Sequence, residues 1–286
     1  MKTEFFKPVD IKAALDLLDQ YKNKAVIVNG GSDIVIEITK GSVNPRAIIY
    51  IADIQELKGI TERNGNIIIG GAVTFAQMLK SPIIQKVKGM VEAVRQLGSP
   101  PIREVATAAG NLGTGAPSAD CVTMLMGLEA KIVLVSTGGE RIVPIEDFFL
   151  GSYKTVLAPN ELIREICFYA PKQGGGSGFI RFARRKSQDI GKVLVSASLT
   201  VNDGICSKAV IGLGALNAAA VRSTSIENAI TGKGKDTALE FIRSNFPKEA
   251  GLRESRFKHY KELVTCTAVE RAVAMAWNNA EELCKQ

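Results

Sequence analysis

The sequence predicts an α+β fold, and three observations carry that prediction. Short β-branched runs such as Ala25–Val28 and Ala47–Ile51 read as buried strands between stretches of helical periodicity. Turn signals such as Asn64-Gly65-Asn66 and Asn202-Asp203-Gly204 join neighbouring strands into hairpins. A glycine run, Gln173-Gly174-Gly175-Gly176-Ser177-Gly178, reads as a linker marking the last domain boundary.

Taken in order, residues 9–22 carry Ala13, Ala14, Leu17, Leu18 and Tyr21 at helical spacing, with Asp10 as N-cap. The strand Ala25–Val28 runs into a Gly30-Gly31 turn. Residues 34–38 fit either a strand or a short helix, and the run to Ile51 closes a small α/β unit near residue 55. A hairpin follows within residues 59–71, and Thr74 caps a helix over 75–80. Residues 82–97 read as one longer helix ending at Gly98-Ser99-Pro100-Pro101, followed by a second small-residue loop. Beyond Asp120, which is placed to N-cap it, comes a helix over Cys121–Leu128. A hairpin from Lys131 to Pro144 and a strand over Glu161–Phe168 follow. After the glycine run, strands over 196–201 and 207–213 form a hairpin, and helices over 225–230, 236–244 and 258–283 end the chain.

Composition narrows the function. At 286 residues with 46% hydrophobic and 23% charged residues, the chain has material for a sizeable core. No run of about 18 apolar residues occurs, so no membrane insertion is expected. The start, through Phe5-Phe6-Lys7-Pro8, shows no signal core. Five scattered cysteines without Cys-x-x-Cys spacing argue against a metal or iron–sulfur site and fit reduced thiols in the cytoplasm. The single histidine, His259, lies in a polar helical stretch and offers no triad or multi-histidine metal site. The net charge of +7 is spread along the chain. Its densest cluster, Arg181, Arg184, Arg185 and Lys186 near Phe179 and Phe182, fits a solvated face or an acidic protein partner better than nucleic acid.

Two small-residue segments carry the binding chemistry. The first is Val26-Ile27-Val28-Asn29-Gly30-Gly31-Ser32-Asp33, and the second runs from Thr107-Ala108-Ala109-Gly110-Asn111 through Thr114 to Asp120. Glycines let backbone N–H groups approach a diphosphate, because no Cβ intervenes. Ser32, Thr107, Asn111 and Thr114 add donors, and Asp33 is able to orient the turn or accept from a ribose or ring N–H. Two such segments suggest a cradle gripping a dinucleotide from both sides; two tight structural turns explain the same residues. Gly212-Leu213-Gly214 lacks the third glycine and the βαβ context of a Rossmann fingerprint, so it reads as close strand packing. No Gly-x-x-x-x-Gly-Lys-Ser/Thr loop occurs.

Nearly the whole chain resembles the FAD-binding medium subunits of molybdenum hydroxylases. The resemblance rests on motifs in order: Asn29-Gly30-Gly31-Ser32-Asp33, Asp53 to Ile60, Ile69-Gly70-Gly71-Ala72-Val73-Thr74, and Ile102-Arg103-Glu104-Val105-Ala106-Thr107 leading into Gly110-Asn111. Asp147-Phe148-Phe149, Lys154-Thr155, Glu161-Leu162-Ile163, Arg181 to Arg185 with Asp189-Ile190, and Tyr260-Lys261 complete it. Pro117-Ser118-Ala119-Asp120 is most similar to the xanthine dehydrogenase branch.

The resemblance implies a two-part FAD-binding domain of the vanillyl-alcohol-oxidase (PCMH) type, with subdomains over 1–56 and 57–172. It implies a C-terminal α+β domain of the CO dehydrogenase flavoprotein type over 179–286. It implies that Val26, Ile27, Val28, Asn29, Gly30, Gly31, Ser32, Asp33 and Ile34, with Thr107, Ala108, Ala109, Gly110 and Asn111, hold the FAD diphosphate. Thr114 and Asp120 continue that wall, and Leu97, Ile163, Arg181 and Ile190 line the rest of the flavin or adenine pocket. Asn29 stands where relatives carry a small or apolar residue, Ala109 where glycine is common, and Ser152 where some relatives place an aromatic against a nicotinamide nucleotide.

The family's role is electron transfer. A large molybdopterin subunit hydroxylates a substrate, a small subunit carries electrons through 2Fe–2S clusters, and FAD passes them to NAD or another acceptor. The redox chemistry belongs to the cofactor, so no catalytic acid–base residue is required of this chain. A stand-alone flavin oxidoreductase and a basic nucleotide- or nucleic-acid-binding module are the competing readings.

Overall fold

The computed structural model describes residues 3–185, 188–252 and 254–284. Among the described residues three sheets of three or more strands follow in chain order, beside a two-stranded pair of Phe149–Gly151 with Lys154–Thr155. The first is parallel, with Ala47–Tyr50 between Glu4–Phe6 and Ala25–Val28. The helix Ile11–Tyr21 covers it, with Ala14, Leu15 and Leu18 buried. Asp10 caps this helix, accepting from the Ala13 N–H at 2.7 Å. Residues 34–39 form a short helix rather than a strand.

The second sheet is antiparallel, ordered Ile60–Arg63, Asn66–Gly70, Leu162–Tyr169, Lys131–Ser136, Gly139–Pro144. Asn64 and Gly65 both take positive φ (51° and 73°), the turn whose twist suits a two-residue hairpin. Between Asn66–Gly70 and Lys131–Ser136, its second and third strands in sequence, the chain runs through a series of short helices. Thr74 begins the first, Phe75–Lys80, with a reciprocal capping box to Gln77. The expected single helix over 82–97 is two helices, Pro82–Gln85 and Lys88–Gln96. Ser81 caps the first, and the fully buried Val87, whose backbone leaves the helical region (φ −102°, ψ 80°), separates them.

The second small-residue segment is helical where a loop was expected. Thr107 accepts from the Gly110 N–H at 3.0 Å and starts a helix over Ala108–Thr114, which ends at left-handed Gly115. The next helix, Asp120–Gly127, has Ala119 at its N-cap, so Asp120 is the first helical residue and not the cap.

The third sheet is antiparallel, ordered Gly175–Phe182, Val193–Asn202, Ile205–Gly214, Val221–Arg222. The glycine run is therefore the start of a strand and not a linker. A Cβ on Gly176 would lie 2.0 Å from the Ala276 carbonyl oxygen, and one on Gly178 would lie 2.4 Å from that of Ala272. These glycines let the helix Lys258–Cys284 press its alanine stripe directly on the sheet. On the opposite face Ser177 accepts from the Gly89 N–H at 3.0 Å, tying the sheet to the helix Lys88–Gln96. Gly212 and Gly214 pack against Thr123 of the helix Asp120–Gly127, the close-packing role expected of them.

Candidate FAD-binding site

The three sheets leave a cavity of about 730 Å³ between the two small-residue segments. The strand Ala25–Val28 delivers Asn29 to Asp33 to one wall, and the helix Ala108–Thr114 presents its first turn to the other. Leu97 with Ile102, the stretch from Leu157 to Ile163, and Asp189 to Gly191 close the remaining sides. This volume falls within the range of about 300–1,000 Å³ typical of ligand pockets.

Most of the residues expected at a binding site meet here. Val26, Ile27, Asn29, Gly30, Gly31, Ser32, Asp33, Ile34, Leu97, Thr107, Ala109, Gly110, Asn111, Thr114, Asp120, Ile163 and Ile190 all line the cavity. Three do not. Val28 and Ala108 are buried behind the wall, and the Arg181 side chain is 4% exposed behind Asp120. Arg181 acts at one remove: its Nε donates to Asp120 at 3.0 Å, and its guanidinium also donates to the Asp189 carbonyl. It thereby braces two lining segments. This pairing, and that of Arg184 with Asp189, breaks up the arginine cluster; Lys186 lies outside the described residues. His259 is exposed, 3.7 Å from Glu262, and takes no part in the cavity.

The two segments are held together by direct contacts. The Thr114 hydroxyl donates to Asp33 at 3.1 Å across the cleft. Gly30 backs onto the residue ahead of Ala106, since a Cβ there would sit 1.9 Å from the Val105 carbonyl oxygen. Its need for glycine thus comes from loop-to-loop packing. Gly31 has φ +71°, which glycine adopts without strain.

Among the described residues no lysine or arginine lines the cavity. An anionic group there would meet backbone N–H groups and the starts of two short helices, whose first N–H groups lack intrahelical partners. Two carboxamide oxygens, Asn29 Oδ1 and Asn111 Oδ1, are buried on this wall without a hydrogen-bond donor. Such an atom costs about 1–3 kcal/mol unless a ligand or water supplies one. Burial raises the Asp120 carboxyl to about 6, against the pull of Arg181. Glu161 goes the other way: hydrogen bonds from Arg141 at 2.7 and 2.8 Å hold it below its usual range, and it accepts from the Ala158 N–H at 2.8 Å. This ion pair fixes the loop forming the cavity's third side. Of the wall residues not anticipated, Glu161, Leu162, Ile102 and Asp189 stood within recognised motifs without an assigned role. Leu157, Ala158 and Pro159 carry no chemical signature and enter through the Glu161 anchor.

A cavity built from two small-residue segments, with unpaired acceptors and, among the described residues, no lysine or arginine, fits the class of nucleotide-cofactor proteins. The comparisons place it further. The family described as FAD binding domain in molybdopterin dehydrogenase matches residues 1–169, and that described as CO dehydrogenase flavoprotein C-terminal domain matches residues 179–276. The chain is 35% identical over 210 residues to the nicotinate dehydrogenase FAD-subunit of Eubacterium barkeri, covering 71% of each. It is 29% identical over 263 residues to the xanthine dehydrogenase FAD-binding subunit of Escherichia coli O157:H7, covering 88% of this chain and 90% of the relative. A solved chain from the carbon monoxide dehydrogenase of Hydrogenophaga pseudoflava, in a form lacking the Mo-pyranopterin moiety, superposes with TM-score 0.90 at 26% identity over 98% of both chains.

The chain belongs to the FAD-binding subunits of the molybdenum hydroxylase family, an oxidoreductase subunit whose cofactor is FAD. Among the described residues, no helix is long and apolar enough to cross a membrane.

Proposed function

We propose that this chain is the electron-transfer subunit of a cytoplasmic molybdopterin-dependent dehydrogenase of the xanthine or purine type. In this reading a large partner subunit holds molybdopterin, and a small one passes electrons from 2Fe–2S clusters to FAD on this chain. NAD or another acceptor then receives them. The convergence of both small-residue segments on one cavity carries the reading.

When bound, FAD supplies the redox chemistry. The protein's part is to hold, orient and shield it. The N–H groups of Gly30 to Ser32 and of Ala109, in the first turn of the second segment, would receive the diphosphate. Ile34, Leu97, Ile163 and Ile190 present apolar surface to the rings and displace water from them. The Asp33–Thr114 and Glu161–Arg141 contacts keep the walls at fixed separation. Among the described residues the cavity presents no cysteine, histidine or lysine, in keeping with a reading in which a partner chain binds the substrate.

The purine assignment is supported by the similarity to the xanthine dehydrogenase FAD-binding subunit. Its test is anaerobic addition of xanthine to this chain co-purified with its molybdopterin and iron–sulfur partners. The flavin band should bleach, and NAD should restore it. Bleaching by nicotinate but not by xanthine would move the chain to another branch.

A further inference from the structure

We propose that Asn29 reads the ligand directly, its side-chain oxygen accepting a hydrogen bond from a hydroxyl of the bound dinucleotide that flanks the diphosphate. The proposal rests on the FAD reading above and assigns a specificity-determining contact within it.

Asn29 is 9% exposed and lies on the cavity wall. Its Nδ2 donates to the Gly71 carbonyl oxygen at 2.6 Å. That partner only accepts, so the bond fixes which end of the carboxamide is nitrogen and which is oxygen. Gly71 is itself held against the second sheet: its N–H donates to the Arg164 carbonyl at 2.7 Å, and a Cβ there would lie 2.3 Å from the Ile163 carbonyl oxygen. The amide plane is therefore set by the second sheet, and Oδ1 is left buried without a donor.

Buried acceptors are nearly always paired, so the missing donor needs a source. Diphosphate oxygens cannot provide one, because they too only accept. A dinucleotide carries donors in its ribose and ribityl hydroxyls, its adenine amino group and its flavin imide. Asn29 directly precedes the Gly30-Gly31 turn, which points to the hydroxyls on either side of the diphosphate rather than to the ring ends.

The test measures dissociation constants of wild type and Asn29→Leu for FAD and four kinds of analogue. One lacks the adenosine ribose hydroxyls, one set lacks single ribityl hydroxyls, one carries hypoxanthine for adenine, and one is methylated at the flavin imide. The expected result is about tenfold weaker FAD binding by the variant, with that penalty vanishing for the analogue lacking the partner hydroxyl. Which hydroxyl abolishes it tells the ribose from the ribityl side. A penalty equal for every analogue makes Asn29 only a structural pin for Gly71 and overturns the proposal. Loss of the penalty with the hypoxanthine or methylated analogue overturns it in favour of a ring donor. Wild type binding FAD with the variant unchanged overturns this proposal alone, whereas wild type binding no dinucleotide overturns the cofactor reading with it. Should Asn29→Leu fail to fold, Asn29→Ser is carried through the same set.

Discussion

Gly30 and Asp120 show how single residues lining this cavity are also held by contacts within the chain. Gly30 was legible as a glycine that brings backbone close to a partner, but the partner is the Val105 carbonyl of the same chain. Sequence cannot distinguish those two approaches, since both demand the absence of a Cβ. Asp120 was legible as an acid at a helix start. Its real partner, Arg181, lies 61 residues away, and only the third sheet brings the two together.

The Asp120 pair has a measurable consequence. Its carboxyl sits at about 6, above the ordinary 3.8, because burial disfavours the charged form. The folded chain then holds this proton more tightly than the unfolded one. That contribution stabilises the fold fully below the unfolded value and is lost as pH rises through about 6. Asp120→Asn removes the titration. The difference in unfolding free energy between wild type and variant should change by about 3 kcal/mol between about pH 4 and pH 7, and then stay flat. Denaturant titrations of the FAD-free chain across that range check it. A difference independent of pH would contradict the burial argument.

At the scale of elements, the strand Gly175–Phe182 was the hardest to read. Four glycines in six residues look like a flexible linker, because glycine is unfavourable in an isolated strand. For Gly176 and Gly178 the reason lies about 100 residues on, in Ala272, Ala276 and Ala280 of the last helix, whose backbone occupies the space a side chain would need, whereas Gly174 and Gly175 back onto the Val201 and Lys172 carbonyl oxygens. The same blindness affected the segment after Thr107, where Gly110 and Gly113 masked a capped helix. Elements with local chemistry were legible: the Asp10 cap, the Thr74 cap and the Asn64-Gly65 hairpin all form where expected.

The packing account predicts that Gly176→Ala destabilises the chain by about 2–3 kcal/mol, since its Cβ would lie 2.0 Å from a backbone oxygen. Gly138→Ala serves as the control, because its nearest neighbour would be an ordinary 3.6 Å away. Its effect should stay within about 0.5 kcal/mol. Equal effects of the two would contradict the strand-on-helix packing.

At the scale of the molecule, the cavity is a product of assembly rather than of any one element. Its walls come from the first parallel unit, the helical run between strands of the second sheet, the loop held by Glu161 and the segment before Val193. The likeness to known flavin subunits was legible because the two small-residue segments keep their order and spacing. The unanticipated walls were not, because a residue such as Pro159 acquires its place only from where the second sheet sets its strand. The +7 charge does not gather on the cavity, whose walls carry carboxylates and no cation among the described residues.

The central claim, that FAD is gripped between the Gly30 turn and the Thr107 helix start, is tested most directly by visible absorption. The purified chain is incubated with FAD, passed through gel filtration and compared with Gly30→Ala. The account predicts flavin bands that stay with the wild-type chain at about one FAD per chain and are lost from the variant, whose Cβ would lie 1.9 Å from the Val105 carbonyl oxygen. A folded wild-type chain that emerges colourless, or a Gly30→Ala chain that keeps its flavin undiminished, would contradict it.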